Sequence, residues 1–436
     1  MTGTELVQIL TTDLVAILRG RSVPADDEAT LRGAGVGWVP ANLALTPFGD
    51  IATPNPWGSA GDLRLCPDPV TETRVEGISG RPPLHFVLAD ITELDGAPWS
   101  CCSRSFLRAG LAELEQAGFR LVVAFEQEFT ILGGAPRDAP SFSLAAHCRA
   151  EPFLTHLFAA LRQARAEPET ILPEYGTGQF EVTCRPAEAL AAADRAVTIQ
   201  AVTREMANAA GLAASFCPKP DAGGVGNGVH VHFSLRDTAG SPVTYDPGRP
   251  GNVSAAAGSF VAGVLRHLPA LCALTAPSQV SYLRLVPHHW STAYACFGER
   301  NREAAVRICP LPASAADPAR SFNLEFRAAD ATANPYLVLG ALVRAGLAGV
   351  RDCLPQPPLV NTDPADLTQS ELDRLGVTRL PDSLPAALDA LAGDEQVLGW
   401  FAPPFLETFR GVKAREIDFA SGVPSDQLCE RYRAIY

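Results

Sequence analysis

Carboxylates and imidazoles recur in this sequence at alternate positions of short apolar runs. In LVVAFEQEFTI, residues 121–131, Glu126 and Glu128 fall on one face of an extended chain, and Val123, Phe125, Phe129 and Ile131 on the other. In GQFEVTC, residues 178–184, Glu181 opposes Phe180 and Val182, and Glu174 precedes it across a glycine-containing turn. In VHVHFS, residues 229–234, His230, His232 and Ser234 oppose Val229, Val231 and Phe233. In NLEFR, residues 323–327, Glu325 and Arg327 oppose Leu324 and Phe326. Any one of these is an ordinary half-buried strand with a solvated face. If their polar faces converge, five carboxylates and an imidazole gather in one place. Like charges that close repel unless cations neutralise them. Oxygen-rich ligation with one imidazole suits Mg²⁺ or Mn²⁺ rather than a thiolate zinc site. Divalent cations beside arginines suggest phosphoryl transfer. There is no GxxxxGK[ST] loop to cradle a nucleotide.

The elements that must position these groups divide into two parts. Residues 11–18 read as a strand running into a turn at Arg19-Gly20-Arg21, and a Pro/Gly-rich stretch follows from Pro40 to Pro69. His85 to Leu88 reads as another short strand, so the first hundred residues look like a small, mostly β unit. Ser103 or Ser105 is placed to cap a helix that carries Leu107, Leu111 and Leu114 and stops at Gly118. The boundary falls there, giving domains at 1–102 and 103–436. The second part alternates strands and helices without a regular βαβ rhythm. Long helices are expected at 187–210, 254–275 (interrupted at Pro269) and 335–351. The segment 354–385, rich in Pro, Asp and Thr, reads as a surface excursion.

Length and composition bound the classes. A chain of 436 residues with 47% hydrophobic and 19% charged residues buries a large core. A net charge of −13 argues against nucleic acid and against a polybasic membrane anchor. Eleven cysteines, odd in number and without CxxC, read as reduced thiols. The N-terminus has no basic region before its apolar residues, and Asp13 interrupts them, so it does not read as a signal peptide. The stretch from Pro335 to Val350 is too short for a bilayer and contains Arg344. The expectation is a soluble cytoplasmic protein with no membrane or nucleic-acid partner.

A set of runs, in order, resembles the glutamine synthetase family and its γ-glutamyl-amine ligase relatives. They are FEQEF at 125–129, PEYGTGQFEV at 173–182, PKP at 218–220, GNGVHVHFSL at 226–235, RLVP at 284–287, ERNREAAVRI at 299–308 and EFRAADATANPYL at 325–337. The resemblance implies an α+β fold. A small β-grasp-like N-terminal domain would precede a catalytic domain with an antiparallel-rich curved sheet and flanking helices. It implies Glu128, Glu174 and Glu181 as ligands of one metal, and Glu126, His230 and Glu325 as ligands of the metal that engages nucleotide phosphates. It places His232 and Ser234 at nucleotide contacts and Arg284 and Arg327 on the carboxylates of glutamate. Arg302 and Arg307 would steady phosphates, and Gly226 and Gly228 would lie where the backbone approaches the amino acid. The implied chemistry uses ATP and Mg²⁺ or Mn²⁺ to phosphorylate the γ-carboxylate of glutamate, after which an amine displaces phosphate. The implied assembly is a homo-oligomer, a dodecamer of two hexameric rings with sites shared between subunits.

Three departures bear on the nucleophile. After RLVP the family has Gly-Tyr-Glu or a close variant, and here the run is His288-His289-Trp290. The family aspartate that binds ammonium aligns with Thr46, with Asp50 nearby. The arginine expected two residues before Glu325 is Asn323. An indole where a carboxylate is expected favours an organic amine over ammonium. Alternatively Trp290 is a core or interface residue, and His288, His289 or a shifted acid moves the proton. The reading is an ATP-dependent ligase forming an amide at the γ-carboxyl of glutamate, with an organic amine preferred. The alternatives are ordinary glutamine synthetase, a catalytically inactive structural relative or, more remotely, a guanidino kinase.

Overall fold

The computed structural model describes residues 5–27, 29–53, 55–78, 80–133 and 139–436; the first four residues of the N-terminal segment lie outside them. The chain forms two sheets. In the first, Leu6–Thr12 pairs antiparallel with Leu18–Pro24 and parallel with Leu84–Thr92. The sheet continues through Leu63–Pro67 to Val36–Trp38, and Thr73–Val75 pairs on the other register of Leu84–Thr92. The hairpin corrects one expectation. Arg19, Gly20 and Arg21 lie within the second strand, opposite Thr11, Leu10 and Ile9, and the turn spans Asp13 to Ile17. Asp13 is the cause. Its buried carboxylate accepts from Val15 N at 3.0 Å and Ile17 N at 2.9 Å, an Asx-type closure that fixes the reversal there.

The second sheet has ten strands. Its main path runs Thr378–Arg379, Tyr294–Glu299, Ala304–Ile308, Leu324–Ala329, Val229–Asp237, Phe119–Leu132, Gln179–Cys184, Pro168–Pro173. Every pair on this path is antiparallel except Tyr294–Glu299 with Ala304–Ile308. The apolar face packs on helices Ser103–Gln116, Ala189–Ala209, Ala255–Thr275 and Pro335–Arg351. Ala255–Thr275 runs unbroken through Pro269, so the interruption expected there is absent. Burial against Pro335–Arg351 compensates for the hydrogen bond that proline removes. Their backbones touch at Gly263, where a Cβ would lie 2.1 Å from Ala345 O. By length and composition this helix would cross a membrane, but 72% of its most apolar window is buried inside the molecule, as in a core helix.

Two other expectations shift. The helix at Ser103 is N-capped by Cys102, without a side-chain bond. Ser103 is occupied elsewhere: its hydroxyl accepts from Asn334 Nδ2 at 3.0 Å and donates to Thr12 O at 3.4 Å. The segment 354–385 is not a bare excursion. It carries a helix, Gln369–Leu375, closed by a Thr368/Glu371 capping box, adds Thr378–Arg379 to the sheet edge, and buries Val360, Leu372, Val377 and Leu380. All eleven cysteines are unpaired.

Two polar anchors join the sheets. Arg104 is buried and donates to Asp68 at 2.8 Å and Asp90 at 3.0 Å beside the first sheet, and to Asp194 at 2.9 and 3.0 Å on Ala189–Ala209. Asn334 caps Pro335–Arg351 through Oδ1, and its Nδ2 holds Thr12 O, Asp13 O and Ser103 Oγ. Replacing Asn334 by Ala removes the cap and takes one donor each from the Thr12 and Asp13 carbonyls, leaving them only the longer bonds from Ser103 Oγ at 3.4 Å and Ala16 N at 3.3 Å. Urea unfolding should show a loss of about 2–4 kcal/mol, with the secondary structure retained.

Candidate active site

The strand register brings the alternating acids together. Glu126 lies opposite His230, Glu128 opposite Glu181, Glu325 opposite His232, and Arg307 opposite Glu325. The faces inferred from period two therefore become one polar surface on five neighbouring strands. Glu174 joins from the loop after Pro168–Pro173, where its N–H bonds Gln179 O at 2.9 Å.

The surface has two electrostatically different halves. On one, Glu325 is fully buried and paired with Arg307 Nε and Arg327 Nη1. His230 Nδ1 stands 3.6 Å from Glu325 and 3.3 Å from Glu126. Burial opposes ionisation of Glu325, but Arg327, His230, His232 and Arg307 outweigh it and hold its carboxyl down at about 2. Glu126 is likewise lowered, because its histidine partners overcome its burial. Burial, aided by Arg327, lowers the pKa of His230. On the other half, burial and then Glu126, Glu128 and Glu174 push Glu181 up to about 9. Burial and Glu128 push Glu174 to about 7.

Glu128 is pinned between these halves. Its Oε2 accepts from Gly228 N at 2.7 Å and from Gln179 Nε2 at 3.2 Å. Gln179 also donates to Gly226 O at 2.8 Å, and Asn227 Nδ2 holds Cys217 O at 2.9 Å, which fixes the loop before Val229–Asp237. Gly226 and Gly228 leave room for the Pro218 carbonyl and the Arg284 side chain. A Cβ on Gly228 would lie 2.4 Å from Arg284 Nη2, and one on Gly226 would lie 2.7 Å from Pro218 O. Arg284 is buried and donates to Ala329 O at 3.1 Å.

Arg327 is 2% exposed and already engaged, donating to Glu325, to Arg302 O at 3.0 Å and to Trp290 O at 2.7 Å. It thereby ties two loops to the carboxylate row. Trp290 is not a core residue, being 53% exposed. Its ring meets Tyr175 edge-on at 4.8 Å, and the Arg302 guanidinium lies 6.0 Å from its centroid. Phe142 meets Tyr175 at 4.8 Å. Glu303 accepts from Trp290 N at 3.0 Å and so positions the indole. His288 turns to Asp363 at 3.0 Å. Ser234 continues the face of His230 and His232, opposite Val122. Asn323 accepts from His232 Nδ1 at 2.8 Å. Thr46 and Asp50 bond each other, and Asp50 pairs with Arg415 at 2.8 Å. Sequence reasoning passed over Gln179, Asn227, Tyr175 and Glu303. Gln179 lies two residues before Glu181 and Asn227 three before His230, and their amides join a buried polar network with Glu128 and Thr130.

The donor set fits hard divalent cations. Glu126, Glu181 and His230 offer ligand atoms within 4.8 Å of one another. The grouping puts Glu181 with the histidine side rather than with Glu128 and Glu174 alone. A carboxyl pushed up to about 9 by burial and then by its acidic neighbours marks a place short of positive charge from the side chains themselves.

The glutamine synthetase catalytic-domain profile matches residues 100–432, and the glutamine synthetase N-terminal-domain profile matches residues 1–99. The chain belongs to the glutamine synthetase family. A Streptomyces coelicolor relative, "Gamma-glutamylpolyamine synthetase GlnA3", is 34% identical over 100% of this chain and 94% of its own length. A Mycolicibacterium smegmatis "Glutamine synthetase" is 35% identical over 71% of each chain. A crystal structure described as a "novel glutamine synthase homolog" superposes with a TM-score of 0.92 at 47% identity, covering 100% of this chain and 99% of that one. A "GmaS/ADP complex" superposes at 0.81 with 26% identity, covering 97% and 95%. As a glutamine synthetase family member the protein is an ATP-dependent carbon–nitrogen ligase, and the carboxylate row lies within the matched catalytic region.

The raised Glu181 pKa has a definite consequence. Between 4.5 and about 9 the folded chain keeps a proton on Glu181 that the unfolded chain has lost. Stability of the chelator-treated protein should therefore fall as pH rises through that window. Added Mg²⁺ should raise the melting temperature most at the alkaline end, and Glu181→Gln should flatten the slope. Thermal scans across the window check this; an equal slope in the variant would refute it.

Proposed function

We propose that this ligase joins an organic amine to the γ-carboxyl of glutamate through a γ-glutamyl phosphate. The observation that carries the reading is the exposed Trp290 ring, packed edge-on against Tyr175. Tyr175 directly follows Glu174. The pair offers apolar area and a π face where an alkylammonium or aryl amine gains contact and ammonium gains little. The GlnA3 relative is named for a polyamine nucleophile, which supports an amine, while the relatives named glutamine synthetase support ammonia as a second reading. In this reading Glu126, Glu128, Glu174, Glu181, His230 and Glu325 hold Mg²⁺ or Mn²⁺, which would offset charge on the transferring phosphoryl group. His232 and Ser234 contact the nucleotide. Arg302 and Arg307 steady phosphate oxygens, and Arg284 and Arg327 orient glutamate. Residues 1–102 and 103–436 act as separate domains of a homo-oligomer, a dodecamer of two rings. Light scattering tests the assembly: a fully active monomer would contradict it.

The deciding experiment is an amine panel with purified protein, ATP, Mg²⁺ and glutamate, read by phosphate release and product mass. Bulky amines should outperform ammonia; efficient turnover with ammonia alone would favour the second reading. Trp290→Glu restores an anion at this position and removes the indole contact. It should shift the ratio of specificity constants toward ammonia about tenfold, corresponding to ~1.4 kcal/mol. An unchanged preference in the folded variant would remove the indole from the amine site. Glu128→Ala and Glu325→Ala should each abolish phosphate release while leaving circular dichroism unchanged.

A further inference from the structure

The polar row ends on a thiol, Cys309, that the ligase chemistry does not use. Cys309 follows Arg307 by two residues, so it shares Arg307's face at the end of Ala304–Ile308. It is buried, with Sγ 3.5 Å from His232 Nδ1 and 3.8 Å from Glu325 Oε2. These three residues offer ligand atoms within 4.8 Å of one another. A tetrahedral ion with bonds of about 2.3 Å to sulfur and about 2.0 Å to nitrogen spaces those ligands about 3.5 Å apart. The observed S···N separation already matches that edge.

We propose that Cys309 Sγ, His232 Nδ1 and Glu325 Oε2 form a site for a thiophilic divalent cation of the zinc type, separate in donor chemistry from the oxygen-rich cluster. A thiolate, an imidazole and a carboxylate with a fourth position left for Asn323 Oδ1 or water are ligands that such an ion takes and Mg²⁺ does not. His232 Nε2 lies 3.0 Å from Glu126 Oε1 yet makes no aligned hydrogen bond. With Nδ1 on the ion, Nε2 carries the proton and turns to Glu126, the carboxylate–histidine–metal relay that orients such ligands. On binding, the Cys309 S–H bond and the His232 Nδ1–H bond break and sulfur–metal and nitrogen–metal bonds form; the thiol proton passes to solvent, and the Nδ1 proton goes to solvent when Nε2 already carries one and otherwise to Nε2. The ion takes Glu325 Oε2 from Arg307, so occupancy is inhibitory: it captures a carboxylate and displaces an arginine that the proposed phosphoryl chemistry needs.

Cadmium titration of the full chain tests this, because sulfur-to-cadmium charge transfer absorbs in the ultraviolet. The background carries Cys148→Ser and Cys353→Ser, which remove the exposed thiols. A saturable band is expected, lost on adding Cys309→Ser, with Zn²⁺ affinity in chelator competition falling at least about tenfold. His232→Gln should lower both readouts in the same way, and Cys309→Ala substitutes if the serine variant does not fold. A band of undiminished amplitude in the Cys309 variants, or no band in the parent, overturns the site. Neither readout uses turnover, so failure of the amine-ligase reading would leave this result standing.

Discussion

Mutual repulsion among buried carboxylates is the constraint to which the rest of the molecule answers. Glu126 and Glu128, Glu181, and Glu325 stand on three strands of one sheet, the last separated from the first by the strand of His230 and His232, with Glu174 beside them. In a low-dielectric surround their repulsion is costly, and it is relieved unequally. Arg307, Arg327, His230 and His232 neutralise the Glu325 side from within the fold. The Glu181 side keeps its charge down by retaining protons instead. One half of the site is thus balanced by basic side chains of the chain itself, and the other by carboxyls that hold their protons.

That division explains how much of the architecture is spent on holding side chains still. Glu128 cannot turn away, since Gly228 N and Gln179 grip it, and the Gly228 backbone is in turn overlaid by Arg284. Arg327 couples the charged row to the loops above it. The guanidinium that offsets Glu325 also holds the carbonyls of Trp290 and Arg302. A change in the charge of Glu325 is therefore felt directly by the loops that carry the exposed indole and Arg302 beside it. Through Arg327 the loop that carries Trp290 is tied directly to the carboxylate row.

The anchors beneath the sheet serve the same end. Arg104 binds carboxylates from both parts of the chain, and Asn334 links the first hairpin to the N-terminus of Pro335–Arg351. Because that helix begins a few residues after Glu325 and Arg327, its cap sets where the last strand of the row ends. Buried charge and amide networks of this kind give a fixed register at little net gain in stability.

The alternation of acids with apolar residues was legible from the sequence alone. Strand geometry has a period of two, so Glu126 with Glu128, and His230 with His232, could be assigned to shared faces without knowing the neighbours. The long helices, too, follow from local periodicity. Register between strands far apart in sequence was not legible, because it depends on pairing that local pattern does not encode. Only the tertiary structure set Glu325 opposite both His232 and Arg307, brought Cys309 to the same row, and engaged Arg327 with loop carbonyls. The same holds for the misplaced hairpin turn. Residues 11–18 read as strand by composition, yet the Asp13 carboxylate, held by Arg19 and backed by Asn334, closes the chain on itself there. Nearby residues proposed the elements, and distant hydrogen bonds and charges decided where they begin, end and meet.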